Sequence, residues 1–71
     1  MRLNLAAWVL LRQALGLSQN QAAQRSGVSQ SYLSEIERGV KVAGPATILK
    51  LAAGIGVPLA AIVTMSDEAV A

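Results

Sequence analysis

Few side chains in this sequence can make or break a covalent bond. There is no His and no Cys among the 71 residues. That removes the commonest general base, the thiolate nucleophile and the usual transition-metal ligands. Two of the four acids, Asp67 and Glu68, lie in the last five residues. The other two, Glu35 and Glu37, are two positions apart, so on a helix they point to different faces and cannot converge as acid and base. No glycine loop of phosphate-cradling form follows a strand. An enzyme is therefore not expected, and neither a catalytic residue, a metal nor a cofactor is assigned. What remains is recognition chemistry. Gln30, Ser31, Ser34 and Glu35 crowd a short stretch, with Arg25, Arg38 and Lys41 around it. Amides and hydroxyls offer donors and acceptors that bind a partner without transforming it.

These groups need elements to hold them. Glycines at 16, 27, 39, 44, 54 and 56 divide the chain into segments of helical length, and the apolar spacing between them is three and four. The first predicted helix spans Leu3 to Leu15. Asn4, Trp8, Leu11 and Leu15 share one face, and Leu3, Ala6, Val9 and Leu10 the other. A helix apolar on both sides is expected to meet a partner as well as the core. Ser18 caps a second helix, and Gln21 completes a capping box. That helix runs to about Arg25 and ends at Gly27, which favours positive φ. Ser29 caps a third, from Gln30 to about Arg38, with Leu33, Ile36 and the Tyr32 ring inward. Pro45 opens a fourth, which stops at Gly54 and Gly56. Pro58 to about Thr64 is read as a short fifth helix. Residues 1–65 form the domain and 66–71 a frayed tail. The fold class is all-α, with five helices and no sheet. Hydrophobic residues make up 54% of the chain but aromatics only 3%, as suits a core of Leu, Ile, Val and Ala between close helices. The mean hydropathy of +0.48 comes with no unbroken apolar run of membrane-spanning length, so a cytoplasmic protein off the membrane is expected.

Two short helices around a tight Gly turn are the layout of a helix-turn-helix. The stretch Ser18 to Gly39 carries the needed residues. Ala23 is small where two helices cross, Gly27 turns the chain, and Val28, Leu33 and Ile36 set the angle between them. Here the sequence resembles the phage repressor and Cro type of helix-turn-helix domain, the XRE family, over roughly residues 5 to 63. Arg12 to Gln19 looks like that family's junction of helices 1 and 2. Gly27 to Gly39 is similar to its turn and recognition helix. Ile48 to Ala52, with Gly56-Val57-Pro58, looks like its fourth helix and the entry to its fifth. The resemblance departs at Ala22, where the family usually carries a larger apolar residue, and at Pro45, about two positions late.

The resemblance implies a compact five-helix domain, like that of lambda repressor, that binds double-stranded operator DNA. The expected regulator is a repressor acting as a homodimer on a palindrome. Gln19 matches the residue that touches a phosphate and braces the recognition helix. Gln30, Ser31, Ser34 and Glu35 match base-reading or groove-wall positions. Arg12 and Glu37 match a buried interhelical salt bridge. Chemistry agrees with these roles. A Gln amide fits the N6 and N7 edge of adenine, so Gln30 is the first candidate base reader, and a Glu can accept from cytosine N4. Glu35 would also repel a nearby phosphate. Arg25, Arg38 and Lys41 are expected to bind backbone together with Gln19.

Charge alone argues weakly. The net charge is +2, although residues 1–66 set all six basic residues against Glu35 and Glu37 for a balance of +4. So few cations favour a dimer, which doubles the phosphate contacts. Leu59, Ile62 and Val63 are the candidate dimer surface, with the outer face of the first helix as the alternative. A second reading stays open: a protein-interaction module of the same fold, antitoxin-like or anti-repressor, whose partner is another protein.

Overall fold

The computed structural model describes residues 1–64. Its elements are β1 (Arg2–Leu3), α1 (Leu5–Ala14), α2 (Gln19–Ser26), α3 (Gln30–Glu37), α4 (Pro45–Ile55), a single 3-10 turn (Leu59–Ala61) and β2 (Val63–Thr64). No described helix is long and apolar enough to cross a membrane.

Local chemistry accounts for the helix ends. Ser18 accepts from the Gln21 N–H while the Gln21 side chain accepts from the Ser18 N–H, at 3.0 and 2.9 Å. Ser29 caps α3 through the Tyr32 N–H. Gly27 closes α2 at φ 73°, in the left-handed region that costs Gly nothing. Gly44 is the cap residue of α4 without a side-chain bond, and Pro45 occupies its first turn.

Three expectations need correction. The first helix starts later than its apolar spacing suggests. Asn4 is not on a helical face but is the N-cap of α1, accepting from the Ala7 N–H at 3.1 Å. The predicted fifth helix is only the one 3-10 turn, so among the described residues four α-helices stand where five were expected. The expectation of no sheet also fails: β1 and β2 pair antiparallel, Arg2 with Thr64 and Leu3 with Val63. The Asn4 N–H extends the contact by donating to the Ile62 carbonyl at 2.8 Å. Ile62, Val63 and Thr64 are three β-branched residues in a row, and these prefer extended backbone once a partner strand is present.

The core is aliphatic around one indole. Trp8, Leu33, Ile36, Ile48, Leu51 and Ile62 are its largest fully buried side chains, and Ala22 and Ala23 fill the spaces beneath α2. Leu3 and Val9, assigned to an outer face of α1, pack against this core, whereas Leu10 stays exposed. Gly54 lies inside α4, before the real stop at Gly56. A Cβ there would overlap the Ser26 side chain and come within 2.7 Å of the Ser26 Cα and 2.8 Å of its N. Gly54 therefore lets the α4 backbone approach both the backbone and the hydroxyl of Ser26 in α2. The Ser26 hydroxyl is buried there with no hydrogen-bond partner among the described residues.

Candidate nucleic-acid interface

The buried half of α3 explains which half is left outside. Leu33 and Ile36 lie in the core. Gln30 and Ser31 are exposed, Ser34 and Glu35 half-buried, and Arg38 exposed just past the last turn. At 100° per residue, Gln30, Ser31, Ser34, Glu35 and Arg38 form one polar stripe opposite the two core residues. The structure thus brings the four residues assigned to base reading together on one face. Arg25 is exposed at the end of α2, and Lys41 is exposed in the loop after α3.

A carboxylate hub fixes the far end of that helix. Glu37, the last residue of α3, receives four hydrogen bonds. Trp8 Nε1 donates to Oε2 at 2.8 Å and Arg12 Nε to the same oxygen at 3.0 Å. Arg12 Nη2 donates to Oε1 at 2.9 Å, and Gln19 Nε2 to that oxygen at 3.2 Å. Arg12 also reaches the Leu17 carbonyl through Nη1 at 3.0 Å, tying in the loop between α1 and α2. The Arg12 and Glu37 side chains are only 10% and 9% exposed. A carboxylate at a helix C-terminus is unfavourably placed against the helix dipole, and burial adds a desolvation cost. A bidentate guanidinium and two further donors offset both.

The spacing on α1 builds this hub. Trp8 and Arg12 are one helical turn apart, so the indole N–H and the guanidinium reach the same carboxylate. Gln19 joins from the first residue of α2. Helical spacing places Trp8 on an apolar face of the first helix without giving its polar edge a partner. The signal was present, because a buried indole N–H needs an acceptor, and Trp8 shares its face with Arg12.

A second cluster sits at the loop after α3. Lys41 Nζ is 3.5 Å from Glu35 Oε1 and 5.9 Å from the centre of the Tyr32 ring. The Tyr32 hydroxyl lies 3.4 Å from Thr47 Oγ1 of α4. The Val40 and Lys41 N–H groups both donate to the Glu35 carbonyl, at 2.8 and 3.2 Å. Thr47 was not singled out from sequence, and a lone Thr in a helix gives no signal for such a role.

The candidate dimer surface is altered. Ile62 is fully buried in the core and is not available to a partner; Leu59 and Val63 are half-buried and pack against the same core. The expected frayed tail, 66–71, lies outside the described residues, as does the domain's expected last residue, 65. Among the described residues no group of acids could hold a metal ion.

Comparison with known proteins agrees with this geometry. The helix-turn-helix family HTH_3 matches residues 10–62. An uncharacterized HTH-type transcriptional regulator, y4dJ, of Sinorhizobium fredii is 43% identical over 58 residues, covering 82% of this chain and 75% of that protein. The restriction-modification controller protein C.AhdI from Aeromonas hydrophila superposes with a TM-score of 0.74 at 36% identity, over 78% of this chain and 83% of that one. An HTH_3 family transcriptional regulator from Vibrio cholerae gives 0.78 at 36% identity; it covers 82% of this chain, which spans 33% of that one.

Proposed function

The chain belongs to the helix-turn-helix family HTH_3, as a transcriptional regulator of that type, and from this premise we propose that it binds specific DNA sequences through α3. The observation that carries the reading is the division of α3. Its apolar side is locked in the core, its C-terminal end is held by the Glu37 hub, and its Gln30, Ser31 and Ser34 side faces out. A helix so fixed can lie in the major groove with its polar residues at base edges. Gln30 is the first base reader, with adenine as its partner. Ser31 and Ser34 are short enough to reach a base or a phosphate. Gln19, Arg25, Arg38 and Lys41 are assigned to phosphates.

The finer reading is a repressor that binds a palindrome as a homodimer. Four backbone-binding residues per protomer give a weak monomer, and a dimer doubles them. Its half-sites would lie about 34 Å apart, one turn of DNA. With Ile62 consumed by the core, Leu59 and Val63 remain on the C-terminal surface, and exposed Leu10 marks the alternative on α1.

Selection of bound sequences from random DNA, followed by titration of the enriched duplex, tests this. A palindrome should emerge. Gln30→Ala should then cost about 1–3 kcal/mol per half-site and relax the preference at one base pair. Unchanged affinity and preference in Gln30→Ala and Ser34→Ala would remove these residues as readers. One observation favours a protein-interaction module instead. Val42, Val40 and Leu10 are 92%, 61% and 66% exposed, a large apolar display for a small domain. Absence of any enriched DNA, with one stoichiometric protein partner recovered, would select that reading.

A further inference from the structure

We propose that Glu35 is a positioning residue for Lys41, presenting its ammonium to a DNA phosphate, and not a base reader. The inference rests on the DNA-binding reading above and revises one residue within it.

Glu35 holds Lys41 at both ends. Its backbone carbonyl accepts the Val40 and Lys41 N–H groups at 2.8 and 3.2 Å, which folds the loop back onto the last turn of α3. Its carboxylate Oε1 stands 3.5 Å from Lys41 Nζ. The centre of the Tyr32 ring is 5.9 Å from the same ammonium. Tyr32 is in turn held to α4 through Thr47. A lysine side chain is otherwise a flexible point charge on a long stem. Here its stem starts from a pinned backbone and its head has both a carboxylate and an aromatic ring within reach. The Lys41 side chain is still 55% exposed, so two fixed partners leave room for a third, and an ammonium has three donors.

This arrangement removes a conflict in the reading face. A lone carboxylate on α3 would repel the phosphates that flank the groove. Paired with Lys41 it forms a neutral unit whose positive end is the more exposed, 55% against 33%. It also directs the carboxylate toward the loop, away from the Gln30 end of the helix. Base recognition is then left to Gln30, Ser31 and Ser34, and the cluster behind them sets the register of the helix on the backbone.

The sign of one substitution separates the roles. Glu35→Gln, Lys41→Met and the double variant are titrated with two duplexes: the one most enriched from random DNA by the wild type, and one of mixed sequence. If Glu35 positions Lys41, Glu35→Gln weakens binding to both duplexes, although it makes the protein more positive. Lys41→Met lowers the salt slope by about 0.9 per protomer, so its deficit shrinks about 3.5-fold between about 50 and 200 mM salt. Adding Glu35→Gln to Lys41→Met causes no further loss. Tighter binding by Glu35→Gln on mixed-sequence DNA overturns the proposal in favour of simple repulsion. A loss confined to duplexes with one particular cytosine, at unchanged salt slope, overturns it in favour of base reading. A wild type that binds neither duplex overturns the DNA-binding reading, and this proposal with it. A DNA-free arm stands apart. In the free protein the Tyr32 ring current should shift the Lys41 ε-methylene protons upfield, and that shift should shrink in Glu35→Gln. An unchanged shift shows that Glu35 does not hold Lys41, and overturns the proposal whatever the DNA result.

Discussion

Replacing Glu37 by Ala strips the acceptor from four donors at once. At 71 residues the domain's stability should lie at about 4–11 kcal/mol, using about 0.05–0.15 kcal/mol per residue. Breaking a buried ion pair from one side costs about 3–5 kcal/mol, because the remaining charge stays buried alone. The Arg12 side chain, 10% exposed, meets that condition. The indole N–H of Trp8, a fully buried residue, also loses its acceptor, a further cost of about 1–3 kcal/mol that does not simply add. Glu37→Ala should therefore lose about 4 kcal/mol, which leaves a protein in the middle of that range folded by about 3 kcal/mol and one at its lower end about half unfolded at room temperature. Urea denaturation followed by circular dichroism and by Trp8 emission measures this, provided the two transitions coincide. The combination of Arg12→Met with Glu37→Met should be less damaging than Glu37→Ala, since no unpaired charge remains, but it should not reach the wild type, since the Trp8 N–H is still orphaned. A loss below about 1 kcal/mol for Glu37→Ala, the scale of an exposed pair, would refute the account of the hub.

Other expectations follow from packing. Gly54→Ala would gain about 0.8–1.0 kcal/mol at an unobstructed helical site, but overlap with Ser26 should turn this into a net loss of about 1–2 kcal/mol; a raised Tm would contradict the close contact. Ser26→Ala removes a buried hydroxyl without a described partner, so it should be neutral or stabilising by about 1 kcal/mol, read as a shift of the urea midpoint at constant slope. Ile62→Ala should cost about 2–5 kcal/mol as a core truncation, even in a monomeric sample; a change in oligomeric state alone would return Ile62 to the surface.

What could be read from the sequence was what depends on near neighbours. The Ser18 and Gln21 capping box, the Ser29 cap, the Gly27 turn and the Pro45 start each lie within four residues of what they control. The polar stripe on α3 follows from helical period alone. The missed features depend on distant residues. Val63 and Thr64 are extended because Arg2 and Leu3 lie beside them, and no window near residue 60 contains that partner. Gly54 reads as a stop next to Gly56, and only Ser26 of α2 shows it to be a contact residue. The face that carries Trp8 follows from helical spacing, but the acceptor of its indole N–H is 29 positions away. Lys41 and Glu35 were both named, yet their pairing across the end of a helix was not foreseen, and it changes what each can do.

The short ladder of β1 and β2 has a topological consequence. Paired strands lie about 4.8 Å apart, so the polypeptide enters and leaves the described body at nearly the same spot. The two ends of the described body therefore lie side by side, at the Arg2 and Thr64 pair. A few residues joining the two ends would close the chain with little strain, and a new opening could then be cut in an exposed loop, such as the one at Val42. Anything fused before β1 or after β2 would hang from a common point, so cargo at either end would swing through the same arc.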